Sequence, residues 1–267
     1  LALYLGRVFP LALTVGICVL SSMRARGTRW GWRGVIYGLA AIAMAIALFL
    51  TYSRGAWMLG VPVALLFLAV MRSRRTFRVA VGVLIVVAVV VILTAGAGRL
   101  GSLLNTKEGT TFLRLQLWQS SWSMVRDHPV LGVGLDNFLY DYRTRYVQPK
   151  AWEEFNLSHP HNLVLDFWLR LGLPGLLWLG CVLVLFFRRG RYVYSRSRIM
   201  SGDDQLLILG LMAGMVSFLA HGLVDAAFFL VDLSFVFMLM VSLIQLPFGT
   251  AEWARTPAIS AQQGRKG

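Results

Sequence analysis

Apolar runs at about residues 2–21, 34–52, 56–71, 78–97, 163–187, 205–223 and 227–246 dominate the chain, separated by short polar connections. Each approaches the roughly 17–25 residues that a helix needs to cross a bilayer. Backbone inside lipid must satisfy its own hydrogen bonds, which only helices and closed barrels do. The runs are continuous rather than alternating, so helices are predicted. The third run is short and suits a tilted or partly re-entrant segment. The seventh contains Asp232. One long polar interruption, 98–162, separates the fourth and fifth runs. Within it Thr110 or Thr111 can cap a helix running to about Asp127. Phe112, Leu115, Trp118, Trp122 and Val125 recur at helical spacing on its apolar face. His128-Pro129 stops this helix, and Gly132-Val133-Gly134 makes a turn. Residues 137–148 are aromatic and basic, with Phe138, Tyr140, Tyr142 and Tyr146, a composition that suits the lipid headgroup level.

Composition agrees with this pattern. Of 267 residues, 57% are hydrophobic and only 14% charged, against about 25% charged in soluble domains. The predicted fold is therefore all-α: a polytopic helical membrane protein with about seven transmembrane helices. Residues 1–267 form one membrane domain, with 98–162 as an extracytoplasmic helical loop inserted between helices four and five. The chain begins Leu-Ala-Leu, and its first run lacks a basic leader and a small-residue cleavage site. It is expected to be the C-terminal portion of a longer protein.

The net charge of +14 would suggest nucleic-acid binding in a soluble protein. Here its distribution points elsewhere. Arg24, Arg26, Arg29 and Arg33 fill one connection, Arg72, Arg74, Arg75 and Arg78 a second, and Arg188, Arg189, Arg191, Arg196 and Arg198 a third. Arg255, Arg265 and Lys266 lie in the tail. These segments alternate with the others along the chain, so one orientation places them all in the cytoplasm. Connections 53–55, 98–162 and 224–226 then share the opposite side. This excludes a nucleic-acid partner and makes membrane lipids the surroundings. Cys18 and Cys181 both lie in apolar runs and form neither a CxxC pair nor a disulfide framework.

The polar islands on the non-cytoplasmic side are the candidates for chemistry. Arg54, flanked by Ser53 and Gly55, ends a helix. It is either a snorkelling anchor or an anion ligand, since a guanidinium grips phosphate oxygens in a bidentate fork. Arg114 lies in the first turn of the loop helix, where the helix dipole gives a cation nothing unless an anion is held between them. A solvated surface arginine is the alternative. His159-Pro160-His161-Asn162 precedes the fifth run, and Asn162 can cap the helix that follows. The histidines are ordinary loop residues or supply a general base, because imidazole titrates near neutral pH. They make a poor metal site, being split by proline with no cysteine or carboxylate at ligand spacing. His221 and Asp225 stand four apart and share a helix face. They suit a carboxylate-oriented imidazole or a polar link between two helices. Gly132-Val133-Gly134 lacks the preceding strand and third glycine of a dinucleotide fingerprint.

Together these islands resemble the O-antigen ligase family, the Wzy_C-type membrane proteins. The resemblance rests on Ser53-Arg54-Gly55 between two apolar runs, on Arg114, and on the turn from His128-Pro129 through Gly132-Val133-Gly134 to Phe138. His161-Asn162-Leu163-Val164-Leu165 and Gly172-Leu173-Pro174-Gly175 complete it. The ordered set covers about residues 35–245. Against the family's pattern the N-terminal spans are expected to belong to the rest of a longer protein, and the loop segment is of modest size.

The resemblance implies a multi-pass glycosyltransferase of the bacterial inner (cytoplasmic) membrane whose site faces the periplasm or exterior. Such proteins move a glycan from undecaprenyl diphosphate to a lipid, polysaccharide or protein acceptor, with no metal, nucleotide or other cofactor. By motif, Arg54 and Arg114 would bind the diphosphate and His161 would be the catalytic base. Ser53, Asn162, His221 and Asp225 are supporting candidates. A polysaccharide polymerase of the same family is the nearest alternative. A membrane transporter is another, because Ser53-Arg54-Gly55-Ala56-Trp57 also occurs in proteins labelled as bicarbonate transporters. The polar residues here gather at helix ends rather than at mid-span, and no internal repeat is visible, which favours the enzyme.

Overall fold

A computed structural model describes residues 1–25, 32–104, 108–197 and 202–246. Arg26, Arg29, Arg198, Arg255, Arg265 and Lys266 of the loop-charge pattern lie outside the described residues. The described residues are mostly helical, with no strand among them. The helices are α1 (Ala2–Ala25), α2 (Trp32–Leu50), α3 (Val61–Arg72), α4 (Arg74–Leu104), α5 (Gly109–Asp127), α6 (Phe138–Asp141), α7 (Leu163–Ser197), α8 (Gly202–Gly222) and α9 (Val231–Leu243). A π-helical turn, Ala56–Gly60, leads into α3. Each of the seven apolar runs is thus a helix. Leu163–Arg196 and Asp204–Gly222 are long and apolar enough to cross a membrane, while Ala2–Ile17, Val35–Leu50, Ala56–Arg72 and Val231–Leu243 are shorter apolar helices.

Several boundaries differ from expectation: α7 runs on to Ser197, so Arg188, Arg189, Arg191 and Arg196 lie within it rather than in a loop. Basic residues Arg74, Arg75 and Arg78 open α4 rather than forming a loop, leaving Ser73 as the connection from α3. The last helix starts at Val231, because 225–230 is not helical. Helix α4 runs on to Leu104, into the segment read as loop.

Helix α8 is the hub and packs against α1, the π turn, α3, α7 and α9. It is apolar on every side, as a helix buried all round must be. Small residues bring α1 close: a Cβ on Gly210 would meet Thr14 Oγ1 and Leu11, and one on Gly214 would stand 2.7 Å from the Arg7 carbonyl. Small residues spaced four apart permit such backbone approach where lipid gives no hydrophobic push between helices. The main core joins Phe167, Phe186, Met215, Phe218, Phe237 and their neighbours from α7, α8 and α9.

Arg7, inside the first apolar run, is also buried. Its Nη1 donates to the Leu233 carbonyl at 2.8 Å and its Nη2 to the Ala227 carbonyl, and the guanidinium lies 4.6 Å from the Phe218 ring centroid. Ala227 belongs to the non-helical stretch before α9, so this arginine satisfies backbone oxygen that helix geometry leaves free.

A smaller core holds the loop segment together: Leu117, Met124, Val125, Phe138, Tyr142 and Leu169. The buried face of α5 is Leu117, Ser120, Ser121, Met124 and Val125, rotated from the expected one, and Trp122 is 44% exposed. Neither threonine caps α5, since the N-cap is Glu108 and Thr110 and Thr111 lie inside the first turn. Phe138 and Tyr142 stack at 5.6 Å in this core, so these two rings pack against protein rather than at headgroup level.

The loop segment is stitched into a break in α7. Gly172 adopts φ 69°, which interrupts the helix. Leu173 N–H then donates to the Val130 carbonyl at 2.9 Å, and Val133 N–H to the Leu169 carbonyl at 2.7 Å. Trp168 Nε1 adds a bond to the Pro129 carbonyl at 2.7 Å. The contact is backbone on backbone: a Cβ on Gly132 would stand 2.3 Å from the Leu169 oxygen, and one on Gly172 2.2 Å from the Val130 oxygen. Two glycine motifs far apart in sequence are therefore two halves of one joint.

Candidate active site at one end of the bundle

The polar islands converge where α7 begins and α8 ends. Asn162 caps α7 as its sequence suggests, its Oδ1 accepting from Val164 N–H at 3.0 Å and Leu165 N–H at 3.1 Å. Its Nδ2 donates to the Leu223 carbonyl at 2.9 Å, tying this cap to the end of α8. Trp118 Nε1 on α5 donates to the Pro160 carbonyl at 3.0 Å, which anchors the preceding residues. Between those two ties His161 takes φ 48°. A non-glycine residue in that region is held there by its surroundings, at a cost of about 1–3 kcal/mol.

That conformation delivers His161 to Asp225. Nδ1 and Oδ1 are 2.9 Å apart, and Oδ1 also accepts the Ala226 N–H at 2.9 Å. The other carboxylate oxygen faces His221, with 3.8 Å between Nε2 and Oδ2. Asp225 therefore stands between two imidazoles, His161 half-buried and His221 2% exposed. Burial alone would raise the Asp225 carboxyl. The hydrogen bonds from His161 and Ala226 and the fields of both histidines outweigh it and hold the group below its ordinary range. His161 Nε2 has no hydrogen-bond partner among the described residues.

Arg54 begins the helical turn that passes this cluster, and Ser53 Oγ accepts the Ala56 N–H at 3.4 Å. Gly55 lies against His221: a Cβ there would be 2.7 Å from both Cδ2 and Nε2 of the ring. Arg54 is exposed, one position from that contact. Arg114, in the second turn of α5 rather than the first, is near enough to act on His221 electrostatically, as is Arg7. Neither Arg54 nor Arg114 has a carboxylate partner among the described residues. Sequence positions 54, 114, 161, 221 and 225 thus share one end of the bundle. An apolar cleft of about 440 Å³ opens beside it, lined by Val63, Leu163, Leu179, Val216 and Leu223 among others.

The sequence profile of the O-antigen ligase family matches residues 39–180. The chain belongs to that family. An O-antigen ligase of Salmonella typhimurium is 27% identical over 153 residues, which are 51% of this chain and 36% of that protein. The chain accordingly spans little more than a third of that relative's length. The family is membrane-bound.

The O-antigen ligase match contains Arg54, Arg114 and His161 but stops before His221 and Asp225. One further residue of the site region escaped sequence reasoning. Arg170 donates Nε to Asp166 at 2.8 Å, Nη1 to Asp136 at 2.7 Å and Nη2 to the Ser158 carbonyl at 3.1 Å. Its guanidinium also lies 5.0 Å from the Phe229 ring centroid. This one side chain joins α7, the glycine turn, the histidine segment and the linker before α9. Its only sequence signal was the spacing of Asp166 and Arg170, four apart on one helix. His159, already named beside His161, comes close to it, with 4.3 Å between the two ring centroids. Burial first, then the neighbouring His161, push it down to about 4. A carboxylate at ligand distance from both histidines, missing from the local sequence, is supplied by Asp225 from across the fold.

Proposed function

We propose that the chain is the catalytic part of a membrane glycosyltransferase. It moves a glycan from undecaprenyl diphosphate to an acceptor hydroxyl or amine at the non-cytoplasmic face, with about seven helices crossing the bilayer. The observation that carries this reading is the Asp225–His161 pair beside two arginines that no described carboxylate neutralises.

Each group has a physical task. Asp225 accepts the Nδ1–H of His161, which fixes the tautomer and leaves the Nε2 lone pair for the acceptor proton. As that proton leaves, the acceptor atom attacks the anomeric carbon and the bond to the diphosphate oxygen breaks. Attack opposite the leaving group inverts the anomeric centre. Charge grows on the diphosphate, and Arg54 and Arg114 stabilise it by about 3–4 kcal/mol per well-placed donor. The base adds roughly 10²–10⁴ in rate. Asp225 then faces an imidazolium and stabilises it.

The apolar cleft supports a lipid-linked donor. Leu163 and Leu223, which line it, adjoin Asn162 and Val224 at the polar cluster. A prenyl tail lying there keeps the diphosphate at the helix ends. The test is reconstitution of the full-length protein with a lipid-diphosphate glycan and an acceptor. Equal amounts of glycosylated acceptor and free lipid diphosphate are expected. No product from a donor that a known transferase can use, or solute uptake with no donor present, would overturn the reading.

A further inference from the structure

His159, His161 and Asp225 offer one ligand atom each, and these atoms all lie within 4.8 Å of one another. All three side chains are half-buried. We propose that this trio binds a zinc-type transition-metal dication, and that the bound ion reversibly blocks glycan transfer. The inference rests on the transferase reading above.

The donor set selects the metal. Two imidazoles and one carboxylate are the ligands that zinc and copper accept, with bonds of about 2.0–2.2 Å, whereas magnesium and calcium want a shell of oxygens. Bonds of that length set ligand atoms roughly 3.5 Å apart, so the trio must draw together around the ion. Three protein ligands leave a fourth position for water. A second observation points to the same place. His221 Nε2 is buried without a hydrogen-bond partner, and it faces the far oxygen of Asp225 at 3.8 Å. A carboxylate that ligates a metal commonly takes a supporting hydrogen bond on its other oxygen, and His221 is placed to donate it. Arg114 and Arg170 oppose a dication in this neighbourhood, which makes the site reversible rather than structural.

The block follows from proton bookkeeping on one ring. A neutral imidazole has a single lone pair. A metal on Nε2 of His161 occupies the base directly. A metal on Nδ1 moves the ring proton to Nε2, which then has nothing with which to accept the acceptor proton. In either geometry the metal also takes Asp225 away from its role beside His161.

The test uses the full-length protein in nanodiscs, free of donor. Co(II) is titrated in and its d–d absorption followed, then displaced with Zn(II). One ion per chain is expected, with intensity typical of low coordination number. His159→Ala should weaken binding by at least about tenfold, the lower end of what losing even an outer-shell partner costs. His159→Gln, with helix content checked by circular dichroism, guards against a folding defect. Transfer is then measured with zinc buffered, each variant relative to its own metal-free rate. Wild-type transfer should fall in step with occupancy, and the His159 variants should resist the same zinc range. Absence of a specific Co(II) spectrum, equal zinc sensitivity in the His159 variants, or full transfer by zinc-loaded wild type would each overturn the inference. Failure of the transferase reading looks different: no transfer from metal-free protein, with the Co(II) spectrum intact.

Discussion

His161 Nδ1 and Asp225 Oδ1 meet at 2.9 Å across 64 positions of sequence. The carboxylate keeps the opposite ring nitrogen ready to accept a proton. Asp225→Asn retains the shape and removes the charge, and an amide can hold the ring in the wrong tautomer. Glycan transfer should fall by about 10²–10⁴-fold, with donor affinity unchanged. Steady-state rates alongside a donor-binding isotherm check this. A weakened isotherm with an unchanged maximal rate would assign Asp225 to binding instead.

Gly55 has no room for a side chain, because its Cβ would stand 2.7 Å from the His221 ring. Gly55→Ala must push that ring or the Arg54 turn aside. A displacement near 1 Å costs about 10²-fold in rate where groups must be aligned. The loss should appear in transfer while helix content by circular dichroism stays constant.

The joint between the glycine turn and α7 is a stability element. Gly172 has φ 69°, and its Cβ would strike the Val130 oxygen. Gly172→Ala should destabilise by at least about 1–3 kcal/mol. Thermal unfolding in detergent reads the effect, and protease should cut the 128–137 turn sooner. Gly82→Ala on α4, where a Cβ meets nothing within 4 Å, is the matched control and should be neutral or slightly stabilising.

Local chemistry was legible in the sequence, and pairing across the fold was not. Apolar runs announced the helices because each must satisfy its backbone alone in lipid. Asn162 as a cap and His128-Pro129 as a stop are likewise short-range effects, and both hold. The break at Gly172 had a local signal in Pro174, which removes a helix donor, but its partner, the turn at 130–133, arrives from elsewhere. The face of α5 was misjudged because Phe138, Tyr142 and Leu169, not periodicity, decide which side is buried. Arg7 carried a signal that went unused: a charge within an apolar run needs a partner, and it finds two carbonyls near α9. Of the candidate site, the motif arginines and His161 could be named from sequence. The bridging position of Asp225 and the approach of His159 depend on how α7 and α8 meet.

Arg170 makes a prediction about order rather than chemistry. Removing it by Arg170→Met leaves Asp166, 1% exposed, without its cation. Breaking a buried pair on one side costs about 3–5 kcal/mol. Adding Asp166→Asn should recover part of that loss, because the stranded charge is gone. Melting temperatures of the two variants should rank the double above the single, and the reverse order would contradict this account of the clamp.

The central claim is that arginine holds the lipid diphosphate and His161 takes the acceptor proton. The most direct measurement is donor binding and transfer, side by side, for His161→Ala and Arg54→Ala in reconstituted full-length protein. His161→Ala should bind donor like wild type and transfer nothing measurable. Arg54→Ala should lose both, and Arg54→Lys should not restore them because the bidentate fork is gone. Undiminished transfer by His161→Ala would contradict the account.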